Sequence, residues 1–167
     1  MHLTKLIKLP DFVTLLNAAM GLLSVFCSLR GLYHTAAYLI LAAVLFDYLD
    51  GKIARFSKKA NDFGRELDSL ADITSFGVAP AALGFALITG VHAYVVASVL
   101  TLYVSCGILR LARYNITHME GFEGMPITIN GILLPLFVLL NLHEWLLYYY
   151  ALSAAFMVST IKVKKLL

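Results

Sequence analysis

Asp47, Asp50, Asp68 and Asp72 are the residues of this chain best suited to chemistry. They lie in DYLDGKIARFSKKANDFGRELDSLAD, residues 47–72, which holds six of the ten carboxylates of a sequence that is 60% hydrophobic. Asp47, Asp50, Gly51, Ala54 and Arg55 follow one another at helical steps of three and four, so they share one helix face; Gly64, Asp68 and Asp72 repeat every four residues and share another. The segment between them, FSKKANDF, is short, so the two helices must be antiparallel neighbours whose faces meet. Four carboxylates then converge on one small volume, and in a low-dielectric site such charges require cations. An all-oxygen set of this kind suits a pair of hard divalent ions, Mg²⁺ or Mn²⁺. Gly51, Ala54 and Gly64 leave bare backbone beside the aspartates, and Arg55 adds a fixed positive charge. Together these features describe a diphosphate site. Asp62 and Glu66 fall off the two faces and read as solvated.

The elements that hold these residues follow from composition. With 167 residues and only 14% charged, the chain has more apolar side chains than a soluble domain of this size can bury, which excludes that class and favours an all-α integral membrane protein. At roughly 20 residues per crossing, six spans are predicted at 11–29, 35–54, 67–88, 91–111, 127–142 and 145–161. The third is weakened by Asp68 and Asp72, and the fifth is short and contains Pro135. An even count with both termini cytoplasmic leaves twelve of the thirteen Lys and Arg residues inside and Arg30 alone outside. The active face, 47–72, is then cytoplasmic too. Residues 1–9, MHLTKLIKL, read as a short interfacial amphipathic helix preceding the six-helix bundle. No small-residue cleavage site follows it, so an uncleaved protein is expected. Cys27 and Cys106 fall in different spans and read as packing residues. No repeat or linker divides residues 1–167, which form a single domain.

Written as D-x2-D-G-x2-A-R-x8-G-x3-D-x3-D, the stretch resembles the signature of the CDP-alcohol phosphotransferase family of integral membrane enzymes. The resemblance implies transfer of a substituted phosphate from a CDP-activated molecule to an alcohol, with release of CMP. It implies that Asp47, Asp50 and Asp68 are metal ligands, and that Asp72 contacts the second metal and is the base for the attacking hydroxyl. Gly51, Arg55 and Asn61 match positions that contact the CDP moiety. PDFVTLLN in the first span resembles the family's nucleotide-contacting stretch, adding Thr14 and Asn17; it departs in carrying Asp11 where many members carry Asn. Homodimerisation is also implied, and Gly77, Ala81 and Gly84 would permit close helix contact.

Flanking segments bear on the acceptor. ITSFGVAPA after Asp72, then CGILRLARYN and GFEGMP, are similar to the family's phosphatidylserine synthases, including archaeal enzymes that use an archaeol lipid. Ile73 stands where phosphatidylglycerophosphate synthases tend to carry Lys. CDP-diacylglycerol or CDP-archaeol, L-serine and membrane lipids are therefore the expected partners, with no nucleic acid. Arg110 and Arg113 would pair with the serine carboxylate and Asn115 would add a hydrogen bond; the competing reading makes both arginines headgroup anchors. Two other functions stay open: a sister phosphotransferase using inositol phosphate or glycerol phosphate, and a divalent-cation transporter.

Overall fold

The computed structural model describes residues 8–57, 62–117, 122–160 and 162–163. The predicted interfacial helix over 1–9 lies almost wholly outside these residues. Helix α1 (Leu9–Leu29) starts with Pro10 in its first turn, where a missing N–H leaves no bond unmade. The Lys8 N–H donates to the Asp11 carboxylate at 2.6 Å, closing that end. At the other end Gly31, at φ +75°, lets the Leu32 N–H reach back to the Cys27 carbonyl at 2.9 Å. The chain therefore reverses within three residues into α2 (Tyr33–Ser57), and the Ser24 hydroxyl donates to the Ala36 carbonyl at 2.9 Å across the hairpin.

Helices α3 (Asp62–Asp72) and α4 (Ala79–Leu87) form one continuous rod with a wide π turn (Ile73–Val78) between them, where the Ala79 N–H donates five residues back to Thr74. Apolar patterning predicts a single helix here and gives no sign of the break. Helix α5 (Ala93–Thr117) follows, then β1 (Phe122–Glu123), α6 (Ile127–Leu139), a 3₁₀ turn (His143–Trp145), α7 (Leu146–Val158) and β2 (Lys162–Val163). Apart from the two-residue antiparallel ladder of β1 with β2, the described chain is helical.

Helix α1 packs along α2, α2 along α6 and α5 along α7, while the α3–α4 rod passes between α1 and α5. The core is built from Ala36, Ile40 and Ala43 of α2, Phe76 and Leu83 of the rod, Tyr103 of α5, Leu134 of α6 and Tyr150 and Met157 of α7. Three segments are long and apolar enough to cross a membrane: Pro10–Leu29, Asp62–Leu87 and Ala93–Ile116. Helix α2 has the length, 25 residues, but its aspartates and His34 reduce its hydropathy. Helices α6 and α7 have 13 residues each, about 20 Å of rise against the roughly 30 Å of a hydrocarbon core. Outward-facing Leu45, Leu70, Leu109 and Tyr148 are each more than half exposed, which suits a lipid surround.

Candidate active site

The two faces expected from spacing do meet. One carboxylate oxygen from each of Asp47, Asp50 and Asp68 lies within 4.8 Å of the others. Asp72, one turn beyond Asp68, is buried and faces Asp47. Helices α2 and α3 supply all four, although α3 packs chiefly against α1 and does not lie along α2 as the hairpin partner that the spacing predicts. Asp50 Oδ2, Asp68 Oδ1 and Asp72 Oδ1 are buried with no hydrogen-bond partner among the described residues. Buried acceptors are normally paired, and carboxylates this close repel one another. Such orphaned oxygens fit a cation, so the three-aspartate group is a site that can hold a divalent metal ion.

Two cavities open from the aspartates. The first encloses about 400 Å³ and is lined by Thr14, Asp50, Gly51, Ala54, Arg55 and Gly64, among others. The Thr14 hydroxyl faces Asp50 and donates to the Pro10 carbonyl at 3.3 Å. A Cβ added at Gly51 would meet nothing within 4 Å, so the missing side chain leaves open space beside Asp50. Arg55 lies at the rim, its Nε donating to the Gly51 carbonyl at 3.2 Å.

The second cavity, about 220 Å³, is lined by Asp47, Asp68, Asp72, Arg110 and Asn115, with Pro126 and Thr128 from the start of α6. Arg110 is buried and its guanidinium lies 5.8 Å from the centre of the Tyr114 ring. Asn115 ties α5 to α3, donating to Ser69 Oγ at 3.1 Å and Glu66 Oε2 at 3.3 Å. Glu66 is thus engaged by Asn115, whereas Asp62 is exposed and pairs with Arg65 at 3.2 Å.

Two expected site residues lie elsewhere. Arg113 turns to the end of α7, donating to the Val158 and Ser159 carbonyls at 3.4 and 3.1 Å. Asn17 lines neither cavity: it is fully buried, its carbonyl accepts from Ser75 Oγ at 2.9 Å, and its side-chain amide has no partner among the described residues. Asn61 falls outside the described residues. Of the small residues expected to permit helix contact, Gly77 lies against Ile73 and Ile127, and Gly84 against the Tyr150 ring. Only Ala81 faces an outer groove, beside Phe85 and Leu100.

Arg65 and Tyr114 line both cavities and were not anticipated. Their spacing carried the signal: Arg65 stands three residues before Asp68, and Tyr114 four after Arg110. Asp11, buried beside Thr14, also lines the first cavity.

The sequence model of the CDP-alcohol phosphatidyltransferases matches residues 7–161, nearly the whole chain and all of this constellation. The protein belongs to that family. Relatives within it carry more specific names. An archaetidylserine synthase of Methanothermobacter thermautotrophicus is 40% identical over 165 residues, 96% of this chain and 68% of the relative. A CDP-diacylglycerol–serine O-phosphatidyltransferase of Methanocaldococcus jannaschii is 41% identical over 130 residues, 78% of this chain and 60% of the relative. One of Saccharomyces cerevisiae is 38% identical over 138 residues, 72% of this chain and 49% of the relative. The chain thus spans from about half to just over two thirds of the length of these proteins. As a CDP-alcohol phosphatidyltransferase with three membrane-length apolar helices, it is an integral membrane protein.

Proposed function

We propose that this CDP-alcohol phosphatidyltransferase moves a phosphatidyl or archaetidyl group from a CDP-lipid to the hydroxyl of L-serine, releasing CMP. One observation carries the reading: the aspartate cluster separates two cavities of different character, a larger one beside Gly51 and Arg55 and a smaller one beside Arg110. A lipid diphosphate and a small charged alcohol need this division. The names of the archaeal, yeast and bacterial relatives support serine as that alcohol.

Asp47, Asp50, Asp68 and Asp72 would hold two divalent cations, Mg²⁺ or Mn²⁺, which supply charge stabilisation to the diphosphate when bound. Thr14, Gly51, Ala54, Arg55 and Gly64 receive the CDP moiety, with Asn61 as a further contact. Arg55 neutralises charge that develops on the leaving phosphate. Arg110 pairs with the serine carboxylate and Asn115 borders the same cavity, while Arg113 secures the end of α7. Asp72 takes the proton of the serine hydroxyl as its oxygen bonds to the lipid-bearing phosphorus and the bond from that phosphorus to the CMP oxygen breaks.

Residues 1–167 are read as a single membrane domain crossing six times, with an interfacial helix at 1–9, as a homodimer, and with both termini and the site cytoplasmic. Turns 30–32, 88–92 and 140–142 then share the outer side, and Arg30 is their one Lys or Arg. Ion transport is disfavoured, since Ile73–Leu87 beyond Asp72 contains no ionisable residue to continue a path.

Purified protein with Mn²⁺, a CDP-lipid and labelled serine should release CMP only when serine is present. CMP formation with inositol phosphate or glycerol phosphate instead would refute the acceptor; Mn²⁺ uptake into liposomes without CMP would refute the reaction. Comparing CDP-diacylglycerol with CDP-archaeol identifies the lipid.

A further inference from the structure

We propose that Tyr103 is a positioning residue for the aspartate site, acting through the wide turn at Ile73–Val78; this rests on the reading of Asp68 and Asp72 as site residues. Phe76 stands one helical turn beyond Asp72. Its carbonyl would ordinarily accept from the N–H four residues on, but that residue is Pro80, which has none. The fully buried Tyr103 hydroxyl supplies the missing donor at 2.5 Å. Neighbouring contacts pin the same segment. The Ser75 hydroxyl donates to the Asn17 carbonyl of α1 at 2.9 Å, and the Tyr150 hydroxyl donates to the Pro80 carbonyl at 2.5 Å. The Tyr103 and Tyr150 rings meet edge to face, 5.0 Å apart, so the two hydroxyls are delivered as one unit.

A π turn accommodates one residue more than an α turn, so losing it would rotate the helix on one side by about 100° relative to the other. Asp68 and Asp72 lie immediately on one side; the anchored Phe76 and Pro80 lie within and beyond it. Asp72 therefore faces Asp47 only while the wide turn persists. Tyr103 holds that turn by satisfying a carbonyl that proline leaves without its usual donor, far from water in an apolar bundle where an unmade bond is costly.

Proline's part in this yields a test. Wild type, Tyr103→Phe, Pro80→Ala and the double variant are compared for Mn²⁺ affinity by electron paramagnetic resonance and for CMP release from CDP-lipid and serine. Tyr103→Phe keeps the ring and should weaken Mn²⁺ binding and lower kcat by about tenfold each, as loss of an outer supporting bond does, with the serine KM little changed. With alanine at 80, an N–H is available for the Phe76 carbonyl, and the same substitution should cost less than about threefold. Equal losses in both backgrounds, or no loss in either, would overturn the proposal. Should Tyr103→Phe fail to fold, the double variant must fold and bind Mn²⁺ like Pro80→Ala; its failure also overturns the proposal. Wild type that binds Mn²⁺ yet releases no CMP refutes the reaction instead, and the Mn²⁺ affinities of the four proteins still decide the coupling.

Discussion

Replacing Asp68 by Asn should reverse its effect on stability according to whether divalent ions are present. Two ionised carboxylates 4.8 Å apart repel by about 3.5 kcal/mol at an effective dielectric constant near 20. Asp68 belongs to two such pairs, with Asp47 and with Asp50, so neutralising it removes on the order of 7 kcal/mol of repulsion from the metal-free protein before screening. The nearby Arg110, which shares the second cavity and faces Asp72, lowers that figure. A gain of about 2 kcal/mol, or ~4–8 °C in Tm for a chain of this size, is expected in a chelator. With Mn²⁺ at a thousand times its Kd, the wild type gains about 4 kcal/mol from binding, whereas a variant binding about a hundredfold more weakly gains about 1.4 kcal/mol. Asp68→Asn should then melt above the wild type in chelator, by about 2 kcal/mol, and below it in Mn²⁺, by about 0.7 kcal/mol. Thermal unfolding in detergent micelles under both conditions measures the reversal. An equal fall in Tm with and without ions would mean that Asp68 is held by structural bonds, and the metal-site reading would fail.

Asp72→Asn should lower CMP release by about a hundredfold or more while retaining CDP-lipid binding, because Asp47, Asp50 and Asp68 remain to hold metal; activity assays paired with nucleotide binding check this, and loss of both together would make Asp72 chiefly structural. Gly51→Leu should fold normally, since its Cβ meets no protein atom, and gain up to about 1 kcal/mol in helix propensity, yet raise the KM for CDP-lipid by filling the first cavity. Arg110→Ala should raise the serine KM by more than tenfold, roughly the loss of a charge-assisted bond. Arg113→Ala should instead cost about 1–3 kcal/mol of stability through the unpaired Val158 and Ser159 carbonyls, with a smaller change in serine KM; steady-state kinetics with thermal unfolding separate the two arginines.

How far the sequence reached depended on the range of the interaction involved. Asp47, Asp50, Gly51, Asp68 and Asp72 were legible because helical periodicity alone determines which residues share a face. Family and reaction class followed from the same twenty-six residues. The division of RLARYN was not legible. Arg110 and Arg113 lie three apart and appear equivalent on a helix, but α7 offers carbonyls to one and the aspartate cavity takes the other. Arg65 and Tyr114 line both cavities, and their spacing from Asp68 and Arg110 was the sign of it available in the sequence.

The sequence by itself determined the bilayer, the acidic constellation and the chemistry that such a constellation needs, since all three rest on composition and on spacing within a helix. Tertiary structure decided which charges enter a cavity, why Asn17 lies deeper than Thr14, and how a proline eight residues after Asp72 is reconciled with a buried helix. Each of these depends on a partner from another helix, such as the Tyr103 hydroxyl on the Phe76 carbonyl, and periodicity along one helix carries no information about what stands opposite.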